Sequence, residues 1–198
     1  TDPLAENYNP YANLDDGSCD YLDNNYAIHF DYMSGYAESI LSAQETFNGG
    51  ESFTVETWYK NDGAVTGNNE GIDDQAMIVG SYRRSSNGDP YNNFNLKVVT
   101  YENSNTDFGH IYADQNVYSA NPIDDGSWHH IAATYNSNGS GSYTVSLYID
   151  GQLNDSNTGN ADSDHINSNN KIRINNWSPF AGDHMLDCYV AGLKVIEV

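Results

Sequence analysis

Phe53-Thr54-Val55-Glu56-Thr57-Trp58-Tyr59-Lys60 is the stretch that decides how the chain is read. Apolar and polar residues alternate with a period of two. Phe53, Val55 and Tyr59 therefore share one face, and Glu56, Trp58 and Lys60 share the other, as in a half-buried β-strand. Working outward, comparable segments occupy residues 26–30, 76–82, 94–101, 128–135, 143–150, 171–175 and 189–197. Clusters of Gly, Asn and Asp separate them, among them Asn87-Gly88-Asp89-Pro90, Asp124-Asp125-Gly126-Ser127 and Asp150-Gly151. Only residues 37–44 carry a weak helical pattern. Eight or more short strands with polar loops and no long helix predict an all-β fold, an antiparallel β-sandwich of jelly-roll type.

Composition agrees and removes several functions. The chain has 198 residues, 7 Lys+Arg against 28 Asp+Glu, a formal net charge of −21, and 16 Tyr. Nucleic-acid binding and attraction to an anionic membrane both need cationic side chains, which are scarce here. No apolar run is long enough to span a bilayer. The first residues lack a signal-peptide pattern, which leaves a removed leader or a fragment of a longer chain as the alternatives. An acidic, Asn-rich, Lys-poor chain suits an extracellular setting that contains salt or calcium, and the plainer reading is solubility through net charge.

Residues 1–23 show neither helical nor strand period and read as a turn-rich appendage with calcium-binding potential, leaving 24–198 as the main module. Two cysteines, Cys19 and Cys188, stand near opposite ends. A bridge between them would close a very long loop.

Three strings carry a resemblance: Phe53 to Trp58; Gly126-Ser127-Trp128-His129-His130-Ile131-Ala132-Ala133-Thr134-Tyr135; and Val145-Ser146-Leu147-Tyr148-Ile149-Asp150-Gly151. In this order they resemble the laminin G-like, concanavalin A-like jelly-roll modules, with Tyr189-Val190-Ala191-Gly192-Leu193-Lys194-Val195 similar to that family's last strand. The resemblance implies a fold for residues 25–198. It leaves function open, since such modules serve as lectins, glycan-binding modules, adhesion domains and some enzymes. The first 23 residues resemble a short Asp-Pro … Asn-Tyr-Asn-Pro … Asp-Asp-Gly-Ser-Cys motif of secreted marine Bacteroidetes proteins. In that motif a further Cys precedes Thr-Asp-Pro. Its absence here implies an unpaired Cys19 unless Cys188 substitutes.

No catalytic signature stands out. Laminarinase-like jelly rolls carry Glu-x-Asp-x-x-Glu on one strand, because acid and nucleophile must flank one glycosidic bond. This chain has no such string, and the adjacent His129 and His130 alternate in direction and cannot chelate together. Calcium takes six to eight hard oxygen ligands, which Asp-rich turns supply. Asp15, Asp16 and Asp20 in the appendage are candidates. Asp31 and Asp187 are two more, at places resembling those where related sandwiches hold a structural calcium between terminal strands.

Sugars present apolar C–H faces and hydroxyl edges, so their sites combine aromatic platforms with amides, carboxylates or guanidinium groups. Two places fit. One is a loop leading from Tyr82, Arg83 and Arg84 to Tyr91, where paired arginines would suit a sulfate or carboxylate. The other is Asn175 and Trp177 with His184, where alternation turns Arg173, Asn175 and Trp177 away from Ile172 and Ile174. Trp58 and Trp128 also lie opposite the apolar face. They coincide with recurring tryptophans of the resembled family and are read as packing residues.

The expectation is thus a non-catalytic carbohydrate-binding module of a secreted or surface bacterial protein, monomeric, with structural Ca2+ and with catalytic or surface domains appended in a longer chain. It would bind a neutral or a sulfated or uronic, algal-type polysaccharide. The alternative is a calcium-dependent adhesion or interaction domain.

Overall fold

The computed structural model describes residues 11, 26–31, 36–42, 52–62, 75–84, 90–99, 110–113, 117–139, 142–160, 171–175 and 186–197. Of the appendage only Tyr11 falls within them, and it is exposed; Asp15, Asp16, Cys19 and Asp20 lie outside the described residues.

Among the described residues the strands form two six-stranded antiparallel sheets. The first contains β1 (Ile28–Phe30), β12 (Cys188–Glu197), β3 (Phe53–Asn61), β8 (His129–Gly139), β9 (Ser142–Ile149) and β10 (Gln152–Asn160), in that spatial order. The second contains β2 (Ala37–Ser42), β11 (Lys171–Ile174), β4 (Gln75–Arg84), β5 (Pro90–Val99), β6 (Ile111–Ala113) and β7 (Val117–Tyr118). Strands distant in sequence lie side by side, as in the predicted jelly roll. Among the described residues there is no helix.

The alternation read in the opening stretch is what builds the core. Phe53, Val55, Thr57 and Tyr59 of β3 are buried, as are Ile131, Ala133 and Tyr135 of β8, and Val145 and Leu147 of β9. Facing them are Phe94, Leu96 and Val98 of β5 and Ile78 and Val79 of β4. Full burial of one such aliphatic or aromatic side chain contributes about 1.5–3 kcal/mol. Phe53, Phe94 and Tyr135 join the sheets. Phe53 stacks on Tyr135 at 4.6 Å and meets Phe94 edge-on at 5.7 Å. The Tyr135 hydroxyl donates to the Asn95 carbonyl at 3.0 Å.

Two sequence expectations change. Residues 37–44, weakly helical by pattern, contain strand β2, held by pairing with β11 and by Glu38, which accepts from Arg173 Nε at 2.8 Å. Tertiary pairing outweighs a local helical tendency too short to nucleate. Strand β10, Gln-Leu-Asn-Asp-Ser-Asn-Thr-Gly-Asn, has no apolar alternation. It pairs with β9 from a two-residue turn in which Asp150 (φ 50°) and Gly151 (φ 76°) both take positive φ, as a tight hairpin requires. Its side chains add hydroxyl pairs, Thr144–Thr158 and Ser146–Ser156, each at 2.8 Å. Cys188 is a free thiol buried in the core, and burial followed by the nearby Asp187 charge pushes its pKa up to about 12.

Candidate functional site

The two sheets present different outer surfaces. On the second sheet, the residues of β5 that point away from the core, Asn95 and Lys97, are 0% and 7% exposed, so this strand is covered on both faces. On the first, Trp58 is 47% exposed and Trp128 is 41% exposed. Register explains how these rings come together. Trp58 pairs with Ala191 on one side and His130 on the other, Tyr189 pairs with Lys60 and with His29, and Trp128 precedes His130 by two residues. Side chains two apart on a strand share a face. His29, Tyr189, Lys60, Trp58, Trp128 and His130 therefore form one outward surface across β1, β12, β3 and β8.

Contacts fix the rings in place. His29 stacks on Tyr189 with centroids 4.4 Å apart and planes 16° from parallel. Trp128 meets Tyr189 at 6.2 Å, Trp58 meets His130 at 5.2 Å, and Lys60 Nζ sits 5.5 Å from the Tyr189 centroid. The ladder between β12 and β3 slips between Ala191 and Lys194, and Gly192, within that bulge, adopts φ 60°. A Cβ built on Gly192 would lie 3.6 Å from the Trp58 indole, so glycine here satisfies the backbone and leaves the ring edge clear. Thr57, on the opposite face of β3, donates to the Ala191 carbonyl at 3.0 Å and ties the two strands beneath the rings.

Charges on this face are locally matched. Glu56 lies 3.1 Å from Lys194 Nζ and 3.6 Å from His130 Nε2. At the β1 edge, His29 Nε2 is 2.9 Å from Asp187 Oδ1 and 3.5 Å from Asp62 Oδ2. Desolvation in the packed row, then the carboxylates of Asp62 and Asp187, raise the Tyr189 pKa. At the β9–β10 end, His129 spans two carboxylates, with Nδ1 2.8 Å from Asp150 and Nε2 3.2 Å from Asp125. Partial burial would lower the His129 pKa, but the hydrogen bonds to Asp150 and Asp125 outweigh it and raise the value. The Asp125 pKa is lowered by the Ser127 backbone N–H and then by His129. Asp150, pushed up by desolvation, is pulled further down by His129 and the His130 N–H.

The sugar-site candidates fare unevenly. Tyr82, Arg83 and Arg84 are not on a loop. They close strand β4, with Tyr82 paired to Asn92, Arg83 to Tyr91 and Arg84 to Pro90, because the β4–β5 ladder runs on past Ser81. Asn175 is no surface amide. At φ 60° it breaks the alternation, is fully buried, and uses its side chain to hold Leu186, accepting from its N–H at 2.7 Å and donating to its carbonyl at 3.3 Å. Arg173 is occupied by Glu38 and stacks over the Tyr36 ring at 4.8 Å. Trp177 and His184 lie outside the described residues. Of the metal candidates, Asp31 is exposed and outside the His29 group, whereas Asp187 belongs to it. Trp58 and Trp128, read as packing residues, pack on His130 and Tyr189 and are also 47% and 41% exposed. Outward alternation was already the signal that could have found them.

A laminin G profile, described as the concanavalin A-like lectin/glucanases superfamily, matches residues 34–195. The chain belongs to this family. Its fold is similar to that of Trypanosoma rangeli sialidase, at 12% identity and TM-score 0.54, over 86% of this chain and 25% of the sialidase. It is likewise similar to domains LG4-5 of the mouse laminin alpha1 chain, at 14% identity and TM-score 0.52, over 85% of this chain and 41% of that one. The chain thus spans less than half the length of either. No curated protein sequence gives a significant match. Among the described residues, no helix of this superfamily member is long and apolar enough to cross a membrane.

Proposed function

We propose that the outward face of the first sheet binds carbohydrate without cleaving it, and that this laminin G-like domain acts as a carbohydrate-binding module of a secreted bacterial protein. The observation that carries the reading is the exposure of Trp58 and Trp128 on one sheet face beside Tyr189 and His130. Large aromatic rings left in water have forgone their burial energy, and a sugar's apolar ring face restores it by stacking. His130, Lys60 and Glu56 supply donors and an acceptor for hydroxyl groups at the rim of these rings.

A binding role fits better than a hydrolytic one. Glu56 is engaged by Lys194 and His130 instead of facing a second carboxylate across a cleft, as acid and nucleophile must. The module would hold an appended catalytic or surface domain near its polymer by raising effective concentration. Near-balanced charge on the aromatic face suits a neutral polysaccharide. For a sulfated or uronic polymer, we place the anion contact at Arg83 and Arg84.

Affinity electrophoresis through gels containing neutral or anionic algal polysaccharides tests the reading. The expected result is retardation with no release of reducing ends. Trp58→Ala and Trp128→Ala should each weaken retention by a neutral polymer about tenfold, equivalent to about 1.4 kcal/mol of stacking. Full retention by both variants, or appearance of shortened products, overturns it. Arg83→Ala with Arg84→Ala should affect only the anionic polymers.

A further inference from the structure

We propose that His29, Asp62 and Asp187 form a binding site for a divalent transition-metal ion of the zinc type, at the β1 edge of the aromatic face. The three residues come from the middle of β1, the position after β3 and the position before β12, far apart in sequence and adjacent through the β1–β12–β3 order. The backbone fixes two of them, since the Asp62 N–H donates to the Asp187 carbonyl at 3.0 Å. The third is fixed by its ring, which the Tyr189 stack holds.

The donor arrangement is the main argument. One imidazole nitrogen, Nε2, faces both carboxylates, at 2.9 and 3.5 Å, and one ligand atom from each of the three residues lies within 4.8 Å of the others. A single N–H proton serves Asp187 and leaves the Asp62 oxygen beyond hydrogen-bond distance. A metal ion serves both at once. Tetrahedral zinc, with ligands at 2.0–2.2 Å, places neighbouring donors about 3.3–3.6 Å apart, close to the longer of the two Nε2–carboxylate separations. The Tyr189 hydroxyl hydrogen-bonds Asp62 and supplies the outer contact that orients metal-bound carboxylates. About two-fifths of each side chain is exposed, so an ion can enter from solvent.

The donor set also selects the ion. Calcium and magnesium take oxygen ligands, whereas imidazole with carboxylates suits zinc and its neighbours. Calcium was the ion expected at Asp187 from sequence; the imidazole of His29 changes that assignment. Three protein ligands leave at least one position for water or another donor. This proposal stands apart from the carbohydrate reading.

The test is calorimetric titration of the chelator-treated full chain with Zn2+ alone, with Ca2+ as comparator and Co2+ absorbance to report tetrahedral nitrogen–oxygen ligation. One zinc per chain is expected. His29→Phe, which keeps a ring over Tyr189 but removes the nitrogen, and Asp187→Asn should each weaken binding at least tenfold. His129→Ala should bind as the wild type does. Absence of zinc binding, undiminished binding by His29→Phe, or Ca2+ bound as tightly as Zn2+ overturns the proposal. Should His29→Phe fail to fold, Asp62→Asn with the Co2+ spectrum decides in the same way.

Discussion

Two histidines of this molecule each stand between two aspartates, and they do opposite things with them. His129 offers a different nitrogen to each partner, Nδ1 to Asp150 and Nε2 to Asp125. Both bonds are made when the ring is an imidazolium, so the group is complete as a clamp. Asp150 then reaches on to the His130 N–H at 2.9 Å, and Asp125 to the Ser127 N–H at 2.7 Å, which locks the turns flanking Trp128 and Trp58's neighbour His130. His29 offers one nitrogen to both partners, an arrangement a single proton cannot satisfy. Two aspartates and a histidine thus give a finished latch where the donors diverge and, where they converge on one nitrogen, the group proposed above to take an ion.

The largest expected difference between the two groups is their response to zinc. An ion that binds only the folded chain stabilises it by about 2.7 kcal/mol at a free concentration one hundred times Kd. For a domain of this size that corresponds to a rise in Tm of roughly 5–11 °C. Scanning calorimetry with and without Zn2+ should show this rise in the wild type and in His129→Ala, and none in His29→Phe. A rise that depends on His129 instead would exchange the roles assigned to the two groups.

Proton linkage should sharpen the contrast from the other side. The His129 pKa is raised on folding, so its contribution is fully present below the unfolded value near 6.5 and is lost as pH rises through the folded value. The Asp125 and Asp150 values are lowered, so their contribution is present above about pH 3.9 and is lost as pH falls through their folded values. The clamp is therefore whole between roughly pH 4 and 6.5. With His129 mostly shielded and its partners half in water, its loss should cost about 1 kcal/mol. Chemical unfolding of wild type and His129→Ala across pH 5–9 measures it. The wild-type curve should fall above neutrality and converge on that of the variant; parallel curves would show that the clamp carries no proton-linked stability.

Much of the scaffold was legible because alternation is a local property. Phe53, Val55 and Tyr59 could be placed inward, and Glu56, Trp58 and Lys60 outward, without any knowledge of their neighbours, and burial follows that division. Strand β10 escaped because, Leu153 and Gly159 apart, it is polar along its length and is held by a hairpin turn and hydroxyl pairs. Asn175 was misplaced because a positive φ cancels the period that predicted its direction. The site was legible in part. Trp58 and Trp128 could be read as outward-facing, but whether an outward ring is covered depends on what the rest of the chain packs over it. The His29 group was invisible, since its members are brought together by the placing of β12 between β1 and β3. Only Asp187 was singled out beforehand, through a resemblance and with a different ion in view.

The smallest expected effect is also the one that separates a binding site from a brace. Were the His29 group a structural ion pair, removing its imidazole would destabilise the metal-free chain, as removing His129 does. Its three side chains are each about two-fifths exposed, and exposed pairs contribute little. Phenylalanine at position 29 retains the stack on Tyr189, leaving the packing of β1 on β12 in place. Removing the ring nitrogen forfeits one exposed hydrogen bond and leaves Asp62 and Asp187 free to draw water. In chelator-treated protein, His29→Phe should therefore change unfolding free energy by no more than about 0.5 kcal/mol. A larger loss in urea titrations would mean that the converging carboxylates hold the first strand to the last unaided, and that the two histidines differ in geometry alone.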